Sequence, residues 1–250
     1  MTAVSIAALA FVLIFGAALL GMAVGRALPG HHIESSSKDV VRLAMAMIAT
    51  MTALVLGLVT ASAKSSFDTE DEAVKHTAAN VMALDRMLAR YGPETKPIRD
   101  EIRAVMAAKA DQVWGHGSIG ESPSGPANAG EKIAERILGL TPTNDVQRWY
   151  QSHALELAGE ILQTRWIVFN GSGASVPTVF LVVLIFWLAV LFGSFGLFAP
   201  QNATVGVALA IGALSVAASI FLILEMDQPF SGVMRISEAP VRFALSHIDQ

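Results

Sequence analysis

The chain of 250 residues is 53% apolar and 15% charged, with a formal net charge of −4 and a mean hydropathy of +0.53. That balance does not suit a soluble domain of this length and points to an integral membrane protein. The basic residues are dispersed among acids, which excludes a nucleic-acid surface, and the absence of cysteine excludes disulfides, thiolate zinc sites and iron–sulfur clusters.

Residues 4–28 form the first predicted span. The apolar run is long and its N-terminus lacks the Lys or Arg of a cleavable signal peptide, so a retained helix is expected. Ala17, Gly21 and Gly25 make a stripe of small residues at four-residue spacing that lets another helix approach closely. Residues 29–37 are a polar turn. His31, His32 and Glu34 sit there, but adjacent imidazoles diverge on most backbones, and a solvated loop is the expectation rather than a metal site.

The stretch over residues 40–92 organises the rest. No ionisable group falls between Arg42 and Lys64, enough for one bilayer crossing. Helical angles sort its side chains into two stripes: Met47, Met51, Leu54 and Leu58 on one, and Ala46, Thr50, Ala53, Gly57 and Thr60 on the neighbouring one, small enough for helix packing. No stopper follows Lys64 until Gly92-Pro93, a helix-end signal. Phe67, Val74, Val81 and Leu88 recur at heptad spacing, with Thr77, Leu84 and Tyr91 interleaved, as in a coiled-coil seam. One helix over this stretch would be ~75 Å long and leave a ~30 Å hydrocarbon core for water. The alternative is a break, with Asp68 or Thr69 capping a separate helix.

Residues 93–114 read as a further helix with Ile98, Ile102, Val105 and Val113 on one side. Residues 115–130, rich in Gly, Pro and Ser, read as a flexible loop whose glycines match neither a phosphate loop nor a dinucleotide fingerprint. A short helix over 131–140 and a longer one over 145–170 follow, the latter capped by Thr143 or Asn144 and carrying Val146, Tyr150, His153, Leu157, Ile161, Thr164 and Val168 along one side. His153 is expected to be a packed, hydrogen-bonded residue rather than a catalyst. Residues 176–198 are the third span and 203–224 the fourth, with Asn202 as N-cap, so the pair forms an antiparallel hairpin. Residues 233–250 make a short amphipathic tail.

The chain therefore divides into two spans over residues 1–62, a helical soluble insert over 63–175, a membrane hairpin over 176–225 and a tail over 226–250. The expected fold is an all-α integral membrane protein, with both termini and the insert on the same side. Counting basic residues near the membrane ends favours a cytoplasmic insert by a narrow margin.

No active site is evident, and no enzymatic activity, cofactor or metal is expected. Glu72 and His76 lie one turn apart, but the zinc-peptidase His-Glu-x-x-His is missing, as is Gly-x-Ser-x-Gly. Glu225 and Asp227 stand at the C-terminal end of the fourth span, where the helix dipole disfavours them. Either a partner such as Arg165 or Lys64 holds them, or they mark a wetted membrane boundary.

The runs 53–68, Leu84-Asp85-Arg86, Tyr91-Gly92-Pro93-Glu94, 163–166, 195–204 and 225–232 resemble a bacterial membrane family, the bestrophin-like proteins, over nearly the whole chain. Bestrophins are pentameric anion channels whose second membrane helix lines the pore and whose long helices between the second and third spans enter the cytoplasm. The resemblance therefore implies a homo-oligomer, a pentamer by analogy, in a bacterial inner membrane, conducting chloride or other small anions. It makes Met47, Met51, Leu54 and Leu58 candidate pore-lining residues. Pro229-Phe230 resembles the bestrophin turn after the last span. Two departures stand out: residues 40–66 contain no aromatic, unlike a bestrophin neck, and the acidic calcium clasp of animal bestrophins is missing after Phe230. The competing expectation is a non-conducting oligomeric scaffold or sensor whose insert binds a partner and whose Met and Leu stripe faces lipid.

Overall fold

The computed structural model describes residues 2–27, 35–115, 129–171, 177–200 and 202–248, without the side chains of 27, 35–38 and 165–171. The described residues are all-helical, with eight α-helices and no strand. These are α1 (Ala3–Ala27), α2 (Ser35–Tyr91), α3 (Lys96–Trp114, entered by a 3₁₀ turn over Pro93–Thr95), α4 (Ala129–Leu138), α5 (Asp145–Gly171), α6 (Thr178–Phe198), α7 (Ala203–Met226) and α8 (Ala239–His247). Four of them, α1, α2, α6 and α7, carry windows long and apolar enough to cross a membrane. The protein is a multi-pass membrane protein. His31, His32, Glu34 and most of the loop expected over 115–130 lie outside the described residues.

Helix α2 runs from Ser35 to Tyr91 without a break at Asp68 or Thr69. It contributes to both of the compact units into which the chain divides. The first unit comprises Met1–Phe67 and Ala174–Met234, the second Asp68–Gly173 and Arg235–Gln250.

In the first unit α1 lies against both α6 and α7, more extensively against α6. The α1–α6 contact is backbone against backbone. A Cβ at Gly21 would overlap the Gly193 carbonyl, one at Gly25 would meet the Leu197 carbonyl, and one at Gly196 would overlap the Ala18 carbonyl. Gly21 and Gly25 thus lie against α6 at Gly193 and Leu197, and Gly193 and Gly196, which the sequence pattern did not single out, lie against α1. Around this contact Ala10, Ile14, Leu184, Leu188, Phe192, Ala213, Ala217, Ile220 and Ile223 are buried. Asn202 caps α7 as expected, its Oδ1 accepting the Val205 N–H at 2.9 Å.

The second unit has a larger-grained core. Val81, Leu84 and Leu88 of α2 join Ile98, Ile102 and Met106 of α3, Ile133 and Ile137 of α4, Ala154 and Ala158 of α5, and Val241, Ala244 and Ile248 of α8. The coiled-coil seam of the sequence is therefore occupied by the chain's own helices, because α3, α4, α5 and α8 supply the aliphatic surface that a second copy would otherwise bring. Phe67 departs from this seam and packs on the core of the first unit. The tail is not a free amphipathic strip but closes this core, and the Trp114 indole N–H donates to the Ile236 carbonyl at 2.9 Å.

Polar side chains finish the helix ends here. The buried Thr95 hydroxyl lies 2.6 Å from the Leu88 carbonyl and 2.8 Å from that of Gly92, so carbonyls left open at the end of α2 are met. Gln151 does the same for α4, its Nε2 donating to Ile137 and Leu140. Asp85, buried on α2, accepts two bonds from Arg99 of α3, at 2.6 Å from Nε and 2.9 Å from Nη2.

Candidate functional site

The membrane half of α2 carries the residues singled out from the sequence, and its sequence explains which side it gives to its own chain. Thr52, Val59 and Ala63 are buried, with Val55, Leu56 and Phe67 packed beside them on the core of the first unit. These positions recur at three- and four-residue spacing, so they form one face. Thr52 is tolerated there because its hydroxyl donates back to the Ile48 carbonyl at 2.7 Å, leaving no unmet donor in the core.

The two stripes singled out from the sequence both lie elsewhere on the circumference. Met47, Met51, Leu54 and Leu58 are 65%, 49%, 74% and 67% exposed. Ala46, Thr50, Ala53, Gly57 and Thr60 are exposed as well, and a Cβ added at Gly57 would meet nothing within 4 Å. Within one chain the small stripe of α2 thus stays exposed; the face that joins the core built from α1, α6 and α7 is a third one. Thr50 and Thr60 bring no free hydroxyl to this surface, since they donate to the carbonyls of Ala46 at 2.9 Å and Leu56 at 2.7 Å. What the arrangement can do follows from these facts. It offers an uncharged, apolar helix face flanked by a face of small side chains, suited to a hydrophobic constriction or a helix-to-helix contact rather than to bond-making chemistry.

The segment after the last span is built around Glu225. The residue is 5% exposed, and one carboxylate oxygen, Oε2, accepts the backbone N–H groups of Val233 and of Met234, the latter at 3.2 Å. Main-chain N–H groups are therefore partners of Glu225; the side chain of Arg165, named from the sequence as a candidate partner, lies outside the described residues. Two N–H donors offset the unfavourable placement of a carboxylate at a helix C-terminus. Gly232 makes the fold-back possible: its φ is +91°, and a Cβ there would run into the Glu225 carboxylate. Pro229 is buried, and Phe230 and Asp227 are half-buried. No sequence signal names backbone amides as partners, although the Pro-x-x-Gly spacing after Glu225 marks the turn that presents them.

In the second unit His153 is half-buried, its ring stacked on Trp149 with centroids 4.0 Å apart and Nδ1 lying 3.2 Å from the Trp149 carbonyl. Along the same side of α5, Val146 is exposed, whereas Tyr150, Leu157 and Ile161 are half-buried. The buried Tyr91 has its pKa raised, by burial first and by the nearby Glu94 carboxylate second. Among the described residues no group of three acidic or histidine side chains is placed to hold a metal ion.

Neither the curated proteins nor the solved structures contain a match to this chain. The model of one family does match, that of the bestrophin-like domain, over residues 12–241. This range takes in most of the first span, the other three spans, the helical insert and the Glu225 turn, and by it the chain belongs to the bestrophin-like family.

Proposed function

We propose that copies of this chain assemble with their α2 helices around a common axis and conduct small anions along it, and that the protein catalyses no reaction. The observation that carries this reading is the outward turn of Met47, Met51, Leu54 and Leu58 from a helix that has no charge across the bilayer. At ~100° per residue, Thr50, Leu54 and Gly57 lie opposite the face that α2 gives to its own chain. Met47, Met51 and Leu58 lie on one flank, and Ala46, Ala53 and Thr60 on the other. In a closed ring, a helix backed by its own subunit turns the opposite face to the axis and its flanks to the two neighbours. A bulky flank against a small one is the asymmetric fit that such head-to-tail contacts require. Leu54 then narrows the path, and a constriction of that kind gates by dewetting. The choice of anions rests on the likeness to bestrophins alone.

Chloride flux into liposomes holding the purified oligomer tests this. Wild-type protein is expected to pass chloride, Leu54→Ala to pass more, and Leu54→Trp to pass little. Liposomes that stay tight with wild type, Leu54→Ala and Leu58→Ala alike would reject conduction.

A second reading, a non-conducting scaffold or sensor, is favoured by the exposed Val146 and Trp149 on α5 and Phe243 on α8. Recovery of a stoichiometric partner that Trp149→Ala loses would support it; recovery of self-association only would count against it.

A further inference from the structure

Between the start of the membrane half of α2 and the end of α6 lies a groove of about 460 Å³, lined by Met45, Ala46 and Ala49 on one wall and Phe195 and Phe198 on the other, with Arg42 at its rim. The groove exists because α2 presents small side chains where α6 presents rings, so the helices cannot close on each other. Its volume falls within the ~300–1,000 Å³ of ordinary ligand sites. Arg42 is the last ionisable residue before the uncharged run to Lys64, which sets it at the depth of lipid headgroups. Its ion-pair contact with Asp39, at 3.7 Å, is between exposed side chains and so holds the guanidinium only weakly.

We infer that this groove is a binding site for an anionic lipid of the surrounding bilayer, with the headgroup phosphate on Arg42 and an acyl chain between Ala46, Ala49 and the rings of Phe195 and Phe198. Apart from the Ser194 hydroxyl the walls between Arg42 and the groove's far end are apolar, and an empty space of this size would forfeit the dispersion contacts of everything lining it. An acyl chain restores them. The guanidinium, with its planar fork of donors, selects a phosphate that bears net negative charge over one masked by choline. This site lies off the proposed conduction path and shares only Ala46 with the flank turned to a neighbouring copy, and its test does not depend on ion flux.

Native mass spectrometry of the detergent-purified protein, with added phosphatidylglycerol or phosphatidylcholine, reads the site directly. Wild type is expected to retain phosphatidylglycerol preferentially. Arg42→Gln should lower that occupancy about five-fold, the loss of roughly one headgroup–cation contact, while Arg42→Lys keeps most of it. Arg26→Gln, which removes a basic residue outside the groove, should leave it unchanged. Ala49→Phe fills the groove and should release both lipids; the Arg42 pair decides the matter if that variant fails to fold. Equal retention of the two lipids by wild type, or equal losses in Arg26→Gln and Arg42→Gln, would overturn the inference. So would a groove filled by a neighbouring copy, seen as an oligomer that binds no lipid and dissociates on Ala49→Phe.

Discussion

The two units solve the same problem, holding helices together, with opposite means. In the first, α1 and α6 meet through Gly21, Gly193 and Gly196, where side chains are absent and backbones touch. In the second, α2, α3, α4, α5 and α8 meet through Leu84, Leu88, Ile98, Ile102 and Ile137, and through the buried Asp85–Arg99 pair. The solvent explains the difference. Lipid is as apolar as leucine, so burying an aliphatic side chain against another helix gains little, and close contact over small residues is what remains. Water rewards aliphatic burial, and it leaves helix ends to be finished by groups such as Thr95 and Gln151.

The comparison breaks most strongly at Asp85. Asp85→Ala removes the bidentate partner of a guanidinium held in the second unit and is expected to cost ~3–5 kcal/mol. Unfolding of the full-length protein should show it, with faster amide exchange in α3 and little change in α1 and α6. Asp85→Leu with Arg99→Met should recover much of the loss, because the pair offers specificity more than net stability. Gly196→Leu is the reciprocal experiment. Overpacking a backbone contact costs ~1–3 kcal/mol, and here exchange should rise in α1 and α6 while α3 stays protected.

Glu225→Ala leaves the N–H groups of Val233 and Met234 without their acceptor, an expected loss of ~1–3 kcal/mol. Glu225→Gln retains a carbonyl acceptor and should cost less. Amide exchange at residues 233 and 234 distinguishes the two.

The smallest effect belongs to Tyr91. Its phenol is buried without a hydrogen-bond partner among the described residues, and its pKa lies above the ordinary value. The stability it gives is present below the unfolded pKa of ~10 and declines as pH rises through the folded value, since the unfolded chain ionises first. Tyr91→Phe removes a buried hydroxyl that has no partner, so stability at neutral pH should stay unchanged or rise by up to ~1 kcal/mol, and the alkaline loss should flatten. An unchanged alkaline slope would assign that loss to another group.

Much of this was legible from residues alone. Length and hydropathy located the spans; the missing stopper after Lys64 pointed to one helix from residue 40 to 92, which in the structure starts earlier and runs from Ser35 to Tyr91; Asn202 announced its cap. The small stripe at Gly21 and Gly25 showed that something would press close, without showing that Gly193 and Gly196 would do so. The heptads over Val74, Val81 and Leu88 showed that a face would be buried. Spacing carries no information on whose helix covers it, and the chain's own α3, α4, α5 and α8 do. Glu225 was visible as an anomaly, but its resolution lies in backbone amides, which every residue but proline carries and which therefore leave no compositional trace.

The claim on which the functional account rests is that the exposed face of α2 meets itself across an axis. The chain has no cysteine, so a single substitution gives an unambiguous probe. Leu54→Cys, oxidised in native membranes, is expected to cross-link into dimers, while Val182→Cys, on an exposed face of α6, stays monomeric. Monomers at both positions, or equal cross-linking at both, would contradict an assembly with α2 at its centre.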